Sequence, residues 1–167
     1  MAPPLPPNPL TEGHGVHHVT GPDSAPRRRG YSEGVPESAT AKVLVYSDDR
    51  LIRQQVRMAL GRRPAADLPA VDYTEVATAP ALEALVDENR YDLIILDGEA
   101  TPAGGMGIAR QLKDELYRCP PILLLIGRPQ DAWLATWSRA DAVVAHPIDA
   151  IAMARAAEKL LRPRVSA

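Results

Sequence analysis

The chain has 167 residues, of which 46% are hydrophobic and 24% are charged, and its formal net charge is −2. This length suits one domain, and the near-neutral charge argues against nucleic acid as a partner. A single cysteine, Cys119, excludes an intrachain disulfide and a cysteine-rich zinc site, and we expect a cytoplasmic protein without a membrane span or signal peptide.

Residues 1–40 differ in composition from the rest of the chain. They contain eight of the 17 prolines and five of the 11 glycines, and their apolar residues show no periodicity. This pattern predicts a disordered tail. The cluster of His14, His17 and His18 lacks the acidic or cysteine partners typical of an ordered metal site, and we interpret the run Arg27–Arg29 as part of a solvated linker.

Strands and helices alternate in the next segment, residues 41–162, which we interpret as one domain followed by a short tail over residues 163–167. The predicted strands cover residues 41–47, 71–78, 91–97, 120–127 and 141–147. The predicted helices cover residues 50–63, 79–90, 105–117, 129–140 and 148–162. Five such units predict an α/β fold with a doubly wound parallel sheet.

Apolar residues at helical spacing predict which helix faces point inward. They are Ile52, Val56, Ala59 and Leu60 in the first helix, Leu82 and Leu85 in the second, and Ile151, Ala154 and Leu161 in the last. Asp48 or Asp49 is the expected N-cap of the first helix. Ligands of doubly wound sheets bind beyond the carboxyl ends of the strands, where Asp48 and Asp97 both lie, so this edge is the candidate functional site.

Five segments, taken in order, resemble a response-regulator receiver domain: "VLVYSDDRLIRQQV", "YDLIILD", "GMGIARQLK", "PPILLLIG" and "ADAVVAHPID". The resemblance covers residues 41–162 and implies a flavodoxin-like fold with strand order 2-1-3-4-5. It places Asp97 at the aspartate that accepts a phosphoryl group from the phosphohistidine of a sensor kinase. It also implies a cis peptide bond between His146 and Pro147.

The metal-binding part of the receiver pattern is incomplete. The two acidic positions after the first strand fall on Ser47 and Asp48, so one carboxylate is missing. Asp48, Asp97 and Glu99 form a weak candidate set for Mg²⁺, the one cofactor that we leave open. Asp49 is a poor substitute, because successive residues of a strand point to opposite faces.

The phosphoryl-binding part departs from the pattern as well. The family's hydroxyl residue at the end of the fourth strand is Ile126, its lysine before Pro147 is His146, and its switching aromatic residue is Val143. The proline that usually follows the aspartate by four positions is Pro102, five positions after it. We interpret Ser47, Asp48, Asp97, Ile126, His146 and Pro147 as remnants of a phosphorylation site. We expect the His146 ring to hydrogen-bond Asp97 or a loop carbonyl.

The leading hypothesis is therefore an atypical, stand-alone receiver that acts as a protein-interaction module without enzymatic activity, with no output domain after it. The first alternative is a working phosphorelay receiver phosphorylated on Asp97, with a sensor kinase as a partner. The second alternative is a small flavodoxin-like enzyme or nucleotide binder, for which no nucleotide loop is present. The absence of phenylalanine and the abundance of alanine, arginine and proline indicate a GC-rich genome, as in actinobacteria.

The only two tryptophans, Trp133 and Trp137, lie four residues apart on the predicted fourth helix and so share a face. Tryptophan is enriched at binding hot spots. We expect at least one indole to be exposed beside Leu134, within a rim formed by Arg128, Asp131 and Arg139. Because receivers usually act through the fourth helix, fifth strand and fifth helix, the predicted occupant of this face is a protein partner or a second copy of the chain.

Two further features are given ordinary structural interpretations. Cys119 precedes a buried strand and is interpreted as an inert, half-buried thiol. The run Gly104–Gly107 lacks the lysine of a phosphate-binding loop and is interpreted as a flexible loop.

Overall fold

The computed structural model describes residues 39–165. The predictions for residues 1–38, including the disordered tail, the histidine cluster at residues 14–18 and the basic run at residues 27–29, lie outside the described residues. The strands are β1 Ala41–Tyr46, β2 Val71–Val76, β3 Leu93–Asp97, β4 Ile122–Ile126 and β5 Ala142–Ala145. The α-helices are α1 Arg50–Leu60, α2 Ala79–Glu88, α3 Gly105–Glu115, α4 Trp133–Ser138 and α5 Ala150–Val165, and a 3₁₀ turn, Pro129–Ala132, precedes α4.

The five strands form one parallel sheet in the order β2-β1-β3-β4-β5, which confirms the predicted topology and the flavodoxin-like fold. Every residue of β3 and β4 is buried. These two strands are covered by helices on both faces, which explains why their sequences are continuous apolar runs without alternation.

The core consists of two apolar layers, one on each face of the sheet. One layer joins the sheet to α2 and α3 through Leu82, Val86, Ile108, Ala109 and Leu112. The other joins it to α1 and α5 through Val56, Leu60, Met153, Ala157 and Leu161. Within residues 39–165, no helix is long and apolar enough to cross a membrane.

Helix α1 has the predicted N-terminal signal. The Asp49 carboxylate accepts a hydrogen bond from the Leu51 N–H at 2.7 Å, so Asp49 is the N-cap. The helix ends at Gly61, whose φ of 59° lies in the left-handed region that glycine adopts without strain. The loop that follows the first strand therefore leads directly into a well-capped helix.

Two predictions about helices are wrong. Ile151 is 64% exposed, because the buried stripe of α5 runs through Met153, Ala157 and Leu161 at exact four-residue spacing and Ile151 lies on the opposite side. The predicted helix over residues 129–140 is a 3₁₀ turn followed by a six-residue α4. Helix α4 ends at Arg139, which has a φ of 60° and is the only non-glycine residue with positive φ in the described part of the chain.

Candidate functional site

The ends of four strands bring the predicted site residues to one edge of the sheet. Asp97 is the last residue of β3 and Ile126 is the last residue of β4. Ser47 directly follows β1, and His146 directly follows β5. Because the strands are parallel, their carboxyl ends meet at this edge, as the sequence predicts.

Asp97 is the centre of a buried hydrogen-bond network and is 3% exposed. Ser47 Oγ donates a hydrogen bond to Asp97 Oδ2 at 2.7 Å, and the Glu99 backbone N–H donates to Asp97 Oδ1 at 3.0 Å. Ser47 is itself fully buried, and its Oγ accepts a hydrogen bond from the Asp49 N–H at 3.1 Å. Both carboxylate oxygens of Asp97 thus have donors within the protein, as buried polar groups require.

His146 approaches this network from β5. Its Nε2 lies 3.6 Å from Asp97 Oδ1, a distance at which a protonated imidazole attracts the carboxylate. The predicted hydrogen bond from this ring is wrong, because 3.6 Å exceeds hydrogen-bonding distance and the ring makes no other side-chain hydrogen bond among residues 39–165. The His146–Pro147 peptide bond is cis, as predicted, and the His146 N–H donates to the Ile126 carbonyl at 2.8 Å.

The three carboxylates proposed for Mg²⁺ have different partners. The Asp48 carboxylate accepts a hydrogen bond from Thr101 Oγ1 at 2.9 Å, which holds the pKa of Asp48 below its usual value. The Glu99 carboxylate lies over Gly127, where an added Cβ would be 2.8 Å from Glu99 Oε1. Within residues 39–165, no group of three or more acidic, histidine or cysteine side chains is placed to hold a metal ion.

This donor set offers fewer carboxylates for Mg²⁺ than the family pattern does. The ion takes six oxygen ligands in near-ideal octahedral geometry, usually with carboxylates among them. One of the two positions after β1 carries the Ser47 hydroxyl, and this hydroxyl already donates to Asp97. The described side chains therefore place a hydrogen bond where the family pattern places a metal carboxylate.

Ile126 and Val143 occupy the positions at which the family has a hydroxyl residue and an aromatic residue, and both pack in the core. Ile126 is 1% exposed and packs in the layer beneath α2 and α3. Val143 is half-buried and packs against the same layer. Neither side chain has a group that hydrogen-bonds an anion, so this part of the edge binds no phosphoryl oxygen through its side chains.

The glycine run beside Asp97 is a packed helix start, so its interpretation as a flexible loop is wrong. Helix α3 begins at Gly105, where an added Cβ would lie 2.6 Å from the Asp97 carbonyl oxygen. Glycine is required there because the first turn of α3 touches the backbone of β3. In addition, Tyr46 Oη donates to the Ala103 carbonyl at 2.6 Å and fastens the preceding loop to β1.

Two residues of the site had no signal in the sequence. Arg53 Nη1 donates to the Ser47 carbonyl at 2.6 Å, and Arg53 Nε is a buried donor without a protein partner among residues 39–165. Thr101 bridges the loop after β3 to Asp48. Both contacts join residues of different loops or of a loop and a helix, and neither residue belongs to a recognisable motif.

The predicted exposure of the tryptophans is confirmed. Trp133 is 67% exposed and Trp137 is 50% exposed. They lie on a surface formed by four exposed residues of the 3₁₀ turn and α4, which we call the tryptophan face: Ala132, Trp133, Thr136 and Trp137. Within this face no residue is charged.

The surroundings of Trp137 differ from the predicted rim. The Arg110 guanidinium, from α3, lies 5.6 Å from the centre of the indole, and Arg110 Nη1 donates to the Trp137 carbonyl at 3.0 Å. Trp137 therefore lies beside α3, which the predicted rim did not include. The predicted rim residues are present: Arg128 pairs with Asp131 at 3.2 Å, and Arg139 pairs with Asp114 of α3 at 2.5 Å.

Cys119 is half-buried before β4, and burial raises the pKa of its thiol. A raised pKa keeps the thiol protonated and unreactive at neutral pH. These observations agree with the interpretation of Cys119 as a packing residue.

The chain resembles known signalling proteins in sequence and in fold. It is 57% identical over 129 residues to uncharacterized response regulatory proteins from two strains of Mycobacterium tuberculosis, and the match covers 77% of this chain and 97% of each relative. No family model matches the chain.

Solved structures support the same fold. The chemotaxis response regulator CheY4 of Vibrio cholerae is 22% identical with a TM-score of 0.61, covering 74% of this chain and 100% of that one. The signal receiver domain of a histidine kinase from Syntrophus aciditrophicus is 20% identical with a TM-score of 0.62, covering 74% and 92%. These structures support the fold alone, whereas the sequence relatives place the chain in a family. This protein belongs to the response regulators, and its described domain is a receiver domain of two-component signalling.

Proposed function

We propose that this receiver works without phosphorylation of Asp97 and acts by binding another protein through the tryptophan face. The observation that carries the proposal is the hydrogen bond from Ser47 to Asp97. The Ser47 hydroxyl occupies an oxygen of Asp97, and this carboxylate would have to act as the nucleophile in phosphoryl transfer. Ser47 also stands where the family pattern has a carboxylate that helps to hold the metal.

The charge at the site supports the same conclusion. Phosphoryl transfer spreads negative charge over the transferred group, and catalysis depends on fixed positive charge and hydrogen-bond donors around it. Ile126 contributes no donor, and an imidazole replaces the family's lysine at His146. Buried Asp97 and its hydrogen-bond partners thus form a structural network that offers few donors and little positive charge to a phosphoryl group.

The interaction half of the proposal rests on the tryptophan face. Two indoles that are 67% and 50% exposed are unusual on a protein surface, and tryptophans of this kind are enriched among residues that dominate binding free energy. A receiver that needs no activation presents such a face in one state, so no fraction of its affinity is lost to an inactive conformation.

The test is phosphorylation of the full chain by acetyl phosphate with Mg²⁺, followed by the mass of the intact protein. We expect no phosphorylated species for the wild type. The Ser47→Asp variant is the matched comparison, since it restores one carboxylate and removes the hydroxyl donor. Near-complete phosphorylation of the wild type that is lost in Asp97→Asn would contradict the proposal and favour the working phosphorelay receiver.

A further inference from the structure

Positive charge is concentrated on one side of the sheet, where α1 and α5 pack. Residues 50–70 and 150–165, which include these two helices, contain nine of the 19 lysines and arginines of the chain. The same residues contain two of its 21 aspartates and glutamates. Helix α2, on the other side, contains three acidic residues and no basic one. The formal net charge of −2 therefore describes neither side of the sheet.

The cations of α5 lie on its outward surface. The buried stripe of this helix includes Met153 and Ala157. Arg155, Lys159 and Arg162 follow one another at spacings of four and three residues, so they share a face of the helix. With about 3.6 residues per turn, that face is opposite the buried stripe, and all three side chains are exposed.

Most of the cations on this side have no acidic partner. Arg162 pairs with both acidic residues of these segments, Asp67 and Glu158, and so neutralises part of their charge. Arg57 pairs with Glu75 of β2 at 3.8 Å. Five other exposed cations have side chains that form neither an ion pair nor a hydrogen bond within residues 39–165, and we call the surface that they define the basic face: Arg50, Arg62, Arg63, Arg155 and Lys159.

Two large apolar side chains are exposed on the same side of the sheet. Met58 is 75% exposed and Leu51 is 57% exposed, and both belong to α1. They are seven residues apart, so they lie two turns apart along one side of the helix. Apolar side chains on an exposed surface rich in arginine are typical of amphipathic helices that lie in the headgroup region of a membrane.

The outward surface of α5 also carries a shallow cavity of about 530 Å³. It is lined by Arg155, Glu158, Lys159, Arg162 and Pro163. The Glu158 carboxylate is already paired with Arg162, so Arg155 and Lys159 give the cavity a positive charge that no described carboxylate balances. Lysine and arginine form strong hydrogen bonds with phosphate oxygens, so the cavity suits the phosphate of a lipid headgroup.

The distribution of these charges favours a lipid surface over a protein as the occupant. The centres of protein interfaces are depleted in charged residues, whereas cations are spread across the whole basic face. An anionic bilayer presents negative charge over a broad area, and each lysine or arginine near it strengthens binding. Because exposed charges are screened over about 8 Å at physiological salt, the acidic side of the sheet does not cancel this attraction.

From these features we infer that the basic face docks on the surface of an anionic lipid bilayer. Helices α1 and α5 lie along the bilayer, with Met58 and Leu51 among the headgroups. The tryptophan face stays accessible in this orientation, because α4 lies beside α3 on the other side of the sheet. Docking requires neither phosphorylation of Asp97 nor a partner at the tryptophan face.

Co-sedimentation of the full chain with vesicles tests the inference. Vesicles of equal parts phosphatidylglycerol and phosphatidylcholine are compared with vesicles of phosphatidylcholine alone. At about 0.1 M salt we expect binding to the anionic vesicles only, and at about 1 M salt we expect this binding to be lost, since the attraction is then screened. The wavelength of tryptophan emission should not change on binding, because both tryptophans lie on α4.

Two matched double variants locate the contact. Arg155→Gln with Lys159→Gln removes two cations from the basic face, and at roughly fivefold for each cation we expect the partition coefficient to fall about 25-fold. Arg90→Gln with Arg118→Gln removes the same charge from exposed positions in the loops before β3 and β4, and this variant should bind as the wild type does. Met58→Ala keeps the charge and should weaken binding severalfold.

Thermal melts of all variants establish that they fold. Equal binding to both kinds of vesicle, no binding to either at about 0.1 M salt, or unchanged binding after the Arg155 and Lys159 substitutions would overturn the inference. A shift of the emission to shorter wavelength would place the tryptophan face at the bilayer and overturn it as well. So would binding of polyglutamate or a DNA duplex by a chain that does not bind the vesicles, since the partner would then be an anionic macromolecule of another class.

Discussion

The Asp97 network and the tryptophan face show opposite ways of using uncommon residues. Asp97 and Ser47 are polar and buried, and their side-chain oxygens are paired inside the protein. Trp133 and Trp137 are large and apolar, and they are exposed. The polar groups of the Asp97 network find hydrogen-bond partners within the protein, whereas the tryptophan face leaves apolar surface exposed.

The two regions should therefore affect different properties: the Asp97 network affects the stability of the fold, and the tryptophan face affects binding. Removing a partner from a buried polar network leaves other groups unsatisfied and destabilises the fold. Removing an exposed indole takes away little that the folded monomer uses, and its effect falls on association. Substitutions in the two regions should therefore change different measured quantities, and each prediction below tests that separation.

The largest effect is expected at the start of α3. Gly105→Ala places a Cβ 2.6 Å from the Asp97 carbonyl oxygen and 2.9 Å from Leu96 Cβ, so α3 or β3 must shift. We expect the free energy of unfolding, measured in urea, to fall by about 3 kcal/mol. Gly107→Ala is the matched control, since nothing lies within 4 Å of its added Cβ. It should stabilise the helix by about 0.5–1 kcal/mol, and equal losses in both variants would contradict the packed interpretation of this turn.

Removal of the central carboxylate should have the next largest effect. Asp97→Ala leaves the Ser47 hydroxyl and the Glu99 N–H without their acceptor, and we expect the free energy of unfolding to fall by about 2 kcal/mol. Asp97→Asn retains an acceptor oxygen and should cost less. If Asp97→Ala were as stable as the wild type, or more so, the network would not be a structural one.

The tryptophan face should contribute little to stability. We expect Trp133→Ala to change the free energy of unfolding by less than about 0.5 kcal/mol, because the side chain is 67% exposed. Leu82→Ala, at a fully buried position of α2, provides the contrast and should cost about 2–5 kcal/mol. A comparable loss in both variants would show that Trp133 is a core residue.

The smallest expected effect concerns the loop above Asp97. The hydrogen bond from Thr101 holds the pKa of Asp48 below its unfolded value of 3.8, so the linked stabilisation is present above that value and is lost as the pH falls through the lowered pKa. Thr101→Val removes the donor, and NMR titration should show the Asp48 pKa rising toward 3.8. The Thr101→Ser variant keeps a hydroxyl and should keep the low pKa.

Much of the fold was predictable because its signals are local. The apolar runs of β3 and β4, the Asp49 cap and the helical spacing around Val56 each lie within a few residues. The predictions failed where the local sequence was compatible with more than one structure. The stripe of α5 follows Met153 and Ala157 instead of Ile151, and Arg139 adopts a conformation that glycine usually marks, so the end of α4 had no sequence signal.

The location of the site in the fold was predictable from the sequence, but most of its side-chain contacts were not. The apolar run before Asp97 predicted its position at a strand end, and the resemblance to receivers implied the cis bond before Pro147. The exposure of an indole was expected because tryptophan is enriched at binding sites. The bond between Ser47 and Asp97 joins residues 50 positions apart, and that between Thr101 and Asp48 joins residues 53 apart. Contacts over such separations depend on the relative positions of loops, which no local pattern specifies.

The attachment of α4 to α3 makes the geometry of the tryptophan face sensitive to ionic strength. The ion pair between Arg139, at the end of α4, and Asp114 of α3 joins the two helices, Arg110 of α3 pairs with the same carboxylate, and all three side chains are about half-exposed. The Debye length falls from about 8 Å at 0.15 M salt to about 3 Å at 1 M, which weakens exposed ion pairs. We therefore expect concentrated salt to loosen α4 and to leave the buried Asp97 network unchanged.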